Sequence, residues 1–173
     1  LEKAGEERRY LFGFEESYGY LTGTYVRDKD GVDGAVMICE MFSFYAARGI
    51  RLTDQLAKLY ERYGYCRNTL HSYQFEGSAG FAKMQGIMAA FRQGISTFGG
   101  KAVEKVLDYS AGLDGLPKAD VLKFYLDGGT TLVVRPSGTE PKLKLYLSVT
   151  AKDEAEAARI EQAILNDAEV YFR

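Results

Sequence analysis

The sequence predicts an α+β chain in which residues from about 66 onward form an antiparallel sheet of about four strands with helices packed on one face. Thr69, His71, Tyr73 and Phe75 give 69–75 the alternation of a half-buried strand, and strand-like apolar runs follow at 121–126, 130–134 and 143–147. They recur at helical spacing over 78–93 and 153–172, so two amphipathic helices are available to cover the apolar side of such a sheet. Between two of the strands, Asp127-Gly128-Gly129 reads as a tight hairpin turn, which makes the pairing antiparallel.

The elements follow in order. Residues 1–9 are a polar lead-in to a strand-like run at 10–14. Glycines punctuate 31–34, and an apolar helix is expected over 35–47, with Asp33 as N-cap and Gly49 as C′ residue. That helix is apolar nearly all round, so it is expected to be buried on more than one side. Thr53 is the expected cap of a second helix carrying Leu56, Leu59, Tyr60 and Tyr63 and stopped by Gly64. At 65–67 the helical spacing gives way to the alternation of Thr69, His71, Tyr73 and Phe75, which sets a domain boundary between 65 and 66. In 78–93, Phe81, Met84, Ile87, Met88 and Phe91 share one helical face as a core stripe. Gly99-Gly100 breaks the chain before a strand at 103–109. The last helix presents Ala157, Ile160, Ile164, Leu165 and Ala168 to the core.

Composition bounds the function. With 173 residues, 46% of them hydrophobic, the chain can bury a real core. Its net charge of −2 provides no broad cationic field for nucleic acid or an anionic membrane, so neither is expected as a partner and any anion must be captured locally. Two cysteines, Cys39 and Cys66, are too few for a disulfide framework and have no metal-ligand spacing, which fits reduced thiols in the cytoplasm. No run is long and apolar enough to span a membrane, and no export signal precedes 10–14. The single histidine, His71, sits on a strand without partners for triad chemistry, which gives it a packing or hydrogen-bonding role.

The chemistry concentrates in Arg135-Pro136-Ser137-Gly138-Thr139-Glu140-Pro141-Lys142, between two strands. A guanidinium grips a phosphate through two parallel hydrogen bonds, hydroxyls donate from the sides, and a glycine lets backbone N–H groups come close to an oxyanion. The plain alternative is a Pro/Ser/Gly turn joining two strands. On the strand that follows, Lys144 projects to the same side as Lys142 and Tyr146, opposite Leu143 and Leu145, so one of these two lysines could complete a cradle. A second cluster is Gly13-Phe14-Glu15-Glu16-Ser17-Tyr18-Gly19-Tyr20, followed by Arg27-Asp28-Lys29-Asp30-Gly31. Carboxylates and a hydroxyl on a glycine-flanked loop suit the vicinal hydroxyls of a sugar, although an acidic pair and a lysine in a charged run are also ordinary surface features.

Together and in this order, the two segments resemble the sugar-recognition loop and the C-terminal phosphate-binding loop of the α-D-phosphohexomutases, the phosphoglucomutase and phosphomannomutase superfamily. The resemblance implies that residues 1–65 are the C-terminal portion of the third, α/β, sugar-binding domain. Residues 66–173 would be the fourth domain, whose fold in the family is TATA-binding-protein-like. It implies sugar contacts from Glu15, Ser17 and Lys29, with Lys29 a candidate general acid/base. Phosphate contacts would come from Arg135, Ser137, Gly138, Thr139 and Lys144. Tyr18 stands where the family usually has a small residue.

The family interconverts hexose 1-phosphate and hexose 6-phosphate through a phosphoserine and a bisphosphorylated sugar, with magnesium at the phosphoserine and a hexose 1,6-bisphosphate activator. Neither the serine motif nor the Asp-rich metal loop occurs here, and the chain opens on Leu1. The expectation is therefore a substrate-recognition fragment that requires the missing N-terminal domains and is inactive alone. The alternative is a stand-alone, non-catalytic phosphosugar-binding module.

Overall fold

The computed structural model describes residues 1–173 except Glu16, Ser17, Thr139 and Arg173. The chain divides into two compact units, Leu1–Leu59 and Tyr60–Arg173. Two-residue strands β1 (Gly13–Phe14) and β2 (Tyr20–Leu21) pair antiparallel in the first unit, bracketing the loop that carries Glu15. Helix α1 (Gly31–Ala46) follows. It starts four residues earlier than its apolar pattern indicates, because Asp30 and not Asp33 caps it. The Asp30 carboxylate accepts from the backbone N–H of Val32 at 2.9 Å and of Asp33 at 3.1 Å. Asp33 is engaged elsewhere, accepting from the Thr22 backbone N–H at 2.8 Å and from the Thr22 hydroxyl at 2.6 Å, which ties α1 to the end of β2.

The expected burial of α1 on several sides is not met within this unit. Gly34 is its one buried residue, and Val36, Met37, Ile38, Met41, Phe42 and Phe44 are exposed. The paired strands of the unit are two residues long, and a sheet that small cannot cover a helix of 16 residues. Helix α2 (Leu52–Tyr63) begins one residue before the expected cap Thr53, with Arg51 and Asp54 paired at its start, and Gly64, at φ 90°, ends it.

The second unit is built on a six-stranded antiparallel sheet in the order β3-β8-β7-β6-β5-β4. Its strands are β3 (Tyr65–Gln74), β4 (Thr97–Phe98), β5 (Lys101–Asp108), β6 (Leu122–Leu126), β7 (Thr130–Pro136) and β8 (Lys142–Ala151). The α+β class and the antiparallel pairing match the sequence reading, while the strand count rises from about four to six. The additions lie at one edge. Gly99 and Gly100, both with positive φ, do not merely interrupt the chain but form a two-residue hairpin that adds β4 to β5. Gly128 and Gly129, likewise at positive φ, turn β6 into β7 with Leu126 opposite Thr130.

Helices α3 (Gly77–Arg92) and α4 (Glu154–Glu169) cover one face of this sheet. Met84, Ile87, Met88 and Phe91 from α3 and Ala157, Ile164, Leu165 and Ala168 from α4 bury against Leu122, Phe124, Leu132, Val134, Leu143, Leu145, Leu147 and Val149. Phe81, expected in this stripe, is exposed. Strict alternation of burial along β6 and β8 follows from the pleat: every second side chain meets the helices, and the others meet none of them. Along β3 the helix-facing positions are polar. There Glu161 of α4, nearly buried, accepts from Arg67 Nε at 2.5 Å, from the Thr69 hydroxyl at 2.6 Å, and lies 2.8 Å from His71 Nε2. His71 thus has the hydrogen-bonding role its isolation implies. Burial raises the Glu161 carboxyl, but hydrogen bonds from Thr69, His71 and Arg67 outweigh it and hold the group below the usual carboxylate range. Both cysteines are free.

Candidate functional site

In the first unit, the β1–β2 loop and the segment before α1 border an open depression of about 240 Å³ lined by Glu15, Gly19, Arg27, Asp28 and Lys29 among others. Lys29 Nζ lies 3.1 Å from Asp28 Oδ1 and 3.7 Å from Glu15 Oε1. Hydrogen bonding to Asp28, then the charges of Asp28 and Glu15, raise the Lys29 pKa, so the ammonium form is favoured. Gly19 makes this packing possible. A Cβ there would come within 2.2 Å of Lys29 Cδ and 2.8 Å of Glu15 Oε1, so only glycine lets the lysine stem lie across the loop. The Glu15 backbone N–H donates to the Gly19 carbonyl at 2.9 Å and closes the loop.

Glu15 and Lys29 are therefore brought together across 14 residues of sequence. Ser17, the third residue of the expected sugar site, lies outside the described residues. Tyr18 takes φ 63° with its side chain exposed, a conformation that costs a β-carbon-bearing residue. Sequence reasoning missed two contributors, Asp28 and Gly19. The adjacency of Asp28 to Lys29 is a signal for the first; nothing local signals the second.

In the second unit, residues 135–142 join β7 to β8. The Ser137 N–H donates to the Lys142 carbonyl at 2.7 Å, the Lys142 N–H to the Glu140 carbonyl at 2.7 Å, and the Phe75 N–H to the Pro141 carbonyl at 2.8 Å. These bonds pin the loop at both ends and to the end of β3. Arg135 sits directly opposite Lys144 in the β7–β8 register, so the two cations project from neighbouring strands on the face the helices leave open. Among the described residues, Arg135, Lys144 and the Ser137 hydroxyl have no hydrogen-bond or ion-pair partner. Lys142 differs: its ammonium pairs with Glu140 at 3.2 Å. Around Gly138 an added Cβ would meet no atom within 4 Å, so the backbone there is open to an approaching group. Thr139 lies outside the described residues.

No group of three or more His, Cys, Asp or Glu side chains among the described residues could hold a metal ion. The acidic residues nearest the β1–β2 loop are engaged: Asp28 with Lys29, Asp30 with the start of α1 and Tyr25, Asp33 with Thr22. The described residues thus do not fit a magnesium site. Among the described residues, no helix is long and apolar enough to cross a membrane.

A small α/β unit with a lysine–carboxylate loop, followed by an antiparallel sheet bearing a cationic loop, defines a pair of domains that comparison with known proteins identifies. Residues 75–167 match the phosphoglucomutase/phosphomannomutase C-terminal domain, and residues 1–63 match alpha/beta/alpha domain III of the same proteins. The chain belongs to the phosphoglucomutase/phosphomannomutase family. It is 37% identical over 177 aligned residues to a phosphoglucomutase of Staphylococcus epidermidis and 34% identical over 178 to one of Staphylococcus aureus. Those alignments cover 92% and 95% of this chain and 32% of each relative, so the chain spans about a third of their length. A solved structure of pp63/parafusin, a phosphoglucomutase from Paramecium in its open form, shares the fold with a TM-score of 0.61 at 18% identity, over 93% of this chain and 29% of that one.

Proposed function

We propose that this chain is the substrate-recognition end of a phosphohexomutase, which holds the hexose and the phosphate that is not reacting. The observation that carries the reading is the cross-strand pair of unpartnered cations, Arg135 and Lys144, beside a loop whose Ser137 hydroxyl and Gly138 backbone are also unengaged. A guanidinium fork, an ammonium, an alcohol and open amides are the donor set of a phosphate monoester dianion. Thr139 would add a second alcohol. Glu15, Ser17 and Lys29 would take the sugar hydroxyls, the carboxylate accepting and the ammonium donating. With its pKa raised, Lys29 carries its proton at neutral pH and would serve as a donor to an oxygen and not as a base.

The parent enzyme would exchange the phosphoryl group between the 1- and 6-oxygens of the hexose through a phosphoserine held outside this chain. Magnesium, when bound there, would neutralise phosphoserine charge; its ligands would likewise come from outside this chain. What these residues contribute is positional: binding energy at the remote phosphate fixes the reacting end of the sugar. Alone, the chain would bind hexose phosphates, and the hexose 1,6-bisphosphate activator as well, without converting them. The reading also assigns the parent to the cytoplasm, where its phosphorylated substrates are found.

Isothermal titration of the chain with glucose 1-phosphate tests this. Arg135 is exposed, so removing its fork costs about 2 kcal/mol, less than a fully desolvated pair, and Arg135→Ala weakens binding about 30-fold. Equal affinity in wild type and variant refutes the reading, as does mutase turnover by the chain alone.

A further inference from the structure

The strand register collects cations that the sequence scatters. On the open face of the sheet, Arg135 and Lys144 lie opposite each other, Lys123 stands two residues along on β6, and Lys105 two residues further on β5. This gives one cation on each of four neighbouring strands, along a diagonal. With about 4.8 Å between strands and about 3.4 Å per residue, Arg135, Lys123 and Lys105 follow one another at backbone spacings of about 8 Å. The side chains that β3, β6, β7 and β8 present to this face include no carboxylate; they are Cys, Asn, Gln, Ser, Thr, Leu, Val, Tyr, Lys and Arg. On β5, Glu104 stands beside Lys105 at the break in register between Val103 and Lys105, so the stretch free of carboxylates is that of β3, β6, β7 and β8.

Lys123 and Lys105 also avoid neutralisation. Their ammonium groups sit 4.9 Å and 6.0 Å from the ring centre of Tyr125, and neither forms an ion pair among the described residues. Lying over an aromatic face keeps a lysine ordered while leaving its full charge on the surface. Both ammonium groups lean on Tyr125, which lies two residues further along β6 from the Arg135–Lys144 pair than Lys123 does. Spacings of about 8 Å are close to the Debye length at physiological salt, so the fields of successive cations overlap along the row.

We propose that Lys105 and Lys123 form an electrostatic approach track that delivers a phosphate monoester to the Arg135–Lys144 cradle, raising the rate of association without touching the bound ligand. The proposal rests on the phosphate-cradle reading above. Steering charges change the association rate and its salt dependence, whereas contacting residues change dissociation.

The test is ³¹P NMR line-shape analysis of glucose 1-phosphate exchanging with the chain at low and high salt. Lys105→Gln/Lys123→Gln lowers the association rate about fivefold at low salt and by less than about twofold at 0.3 M salt, with dissociation unchanged. The control Lys83→Gln/Arg159→Gln removes the same charge from α3 and α4, on the other side of the sheet, and leaves the association rate unchanged. An unchanged association rate in the Lys105/Lys123 variant overturns the track while leaving the cradle standing. Faster dissociation in that variant, or an equal effect in the control, overturns it too. Absence of binding by wild type, or binding insensitive to Arg135→Ala, refutes the cradle itself. Tighter binding of a twelve-residue oligothymidylate than of glucose 1-phosphate would make the face a polyanion site and also overturn the proposal.

Discussion

Replacing Glu161 with Gln tests how the sheet that carries the β7–β8 loop is held to its helices. The carboxylate is 8% exposed and takes hydrogen bonds from three side chains on β3, at 2.5, 2.6 and 2.8 Å. A glutamine oxygen can still accept from Thr69 and His71, but its amide would face the Arg67 guanidinium donor to donor. One charge-assisted bond, worth about 1.5–3 kcal/mol, is lost; because Arg67 keeps about a third of its exposure and so some water, we take about 2 kcal/mol. For a domain of this size that lowers Tm by about 8 °C, readable by calorimetry at pH 7. The pH dependence has a definite sign. Glu161 is depressed below its unfolded value, so its contribution is complete above the ordinary carboxylate pKa of about 4.3 and disappears as pH falls through the folded pKa. The gap between wild type and Glu161→Gln should therefore narrow in acid. A difference under about 2 °C at pH 7, or a gap that is the same at pH 3, would refute the reasoning.

Two further outcomes follow from the first unit. Gly19→Ala drives a methyl into the Lys29 stem, so it should weaken glucose 1-phosphate binding while leaving inorganic phosphate affinity unchanged; equal loss for both ligands would contradict it. Tyr25 donates its phenol proton to Asp30 at 2.6 Å, and that hydrogen bond, followed by burial and the Asp30 charge, lifts its pKa to about 12. Asp30→Ala should return the Tyr25 titration, followed by ultraviolet absorbance, toward the ordinary value of about 10 and fray the start of α1.

What the sequence revealed and what it concealed divide along the distance over which a residue acts. Asp127-Gly128-Gly129 announces its hairpin because two adjacent glycines supply the positive φ the turn needs. The alternation of β8 announces which of its residues meet the helices, and so the side to which Lys144 projects. Two aspartates, three residues apart, both suit the start of α1; the choice falls to Thr22, which follows β2 and engages Asp33. The Glu161 cluster joins residues 90 to 94 positions apart and leaves no local pattern. The Arg135–Lys144 pairing depends on the register set by the loop between them, and the Lys105–Lys123 row on two further registers. Glycine at 19 is legible as a loop residue, yet its reason, the lysine stem lying across it, exists only in three dimensions.

The most direct test is a crystal structure of the chain with glucose 1-phosphate. The account predicts phosphate oxygens within about 3 Å of both the Arg135 guanidinium and the Lys144 ammonium, on the face of the sheet opposite α3 and α4. A phosphate bound elsewhere, with these two cations unliganded at saturating concentration, would contradict it.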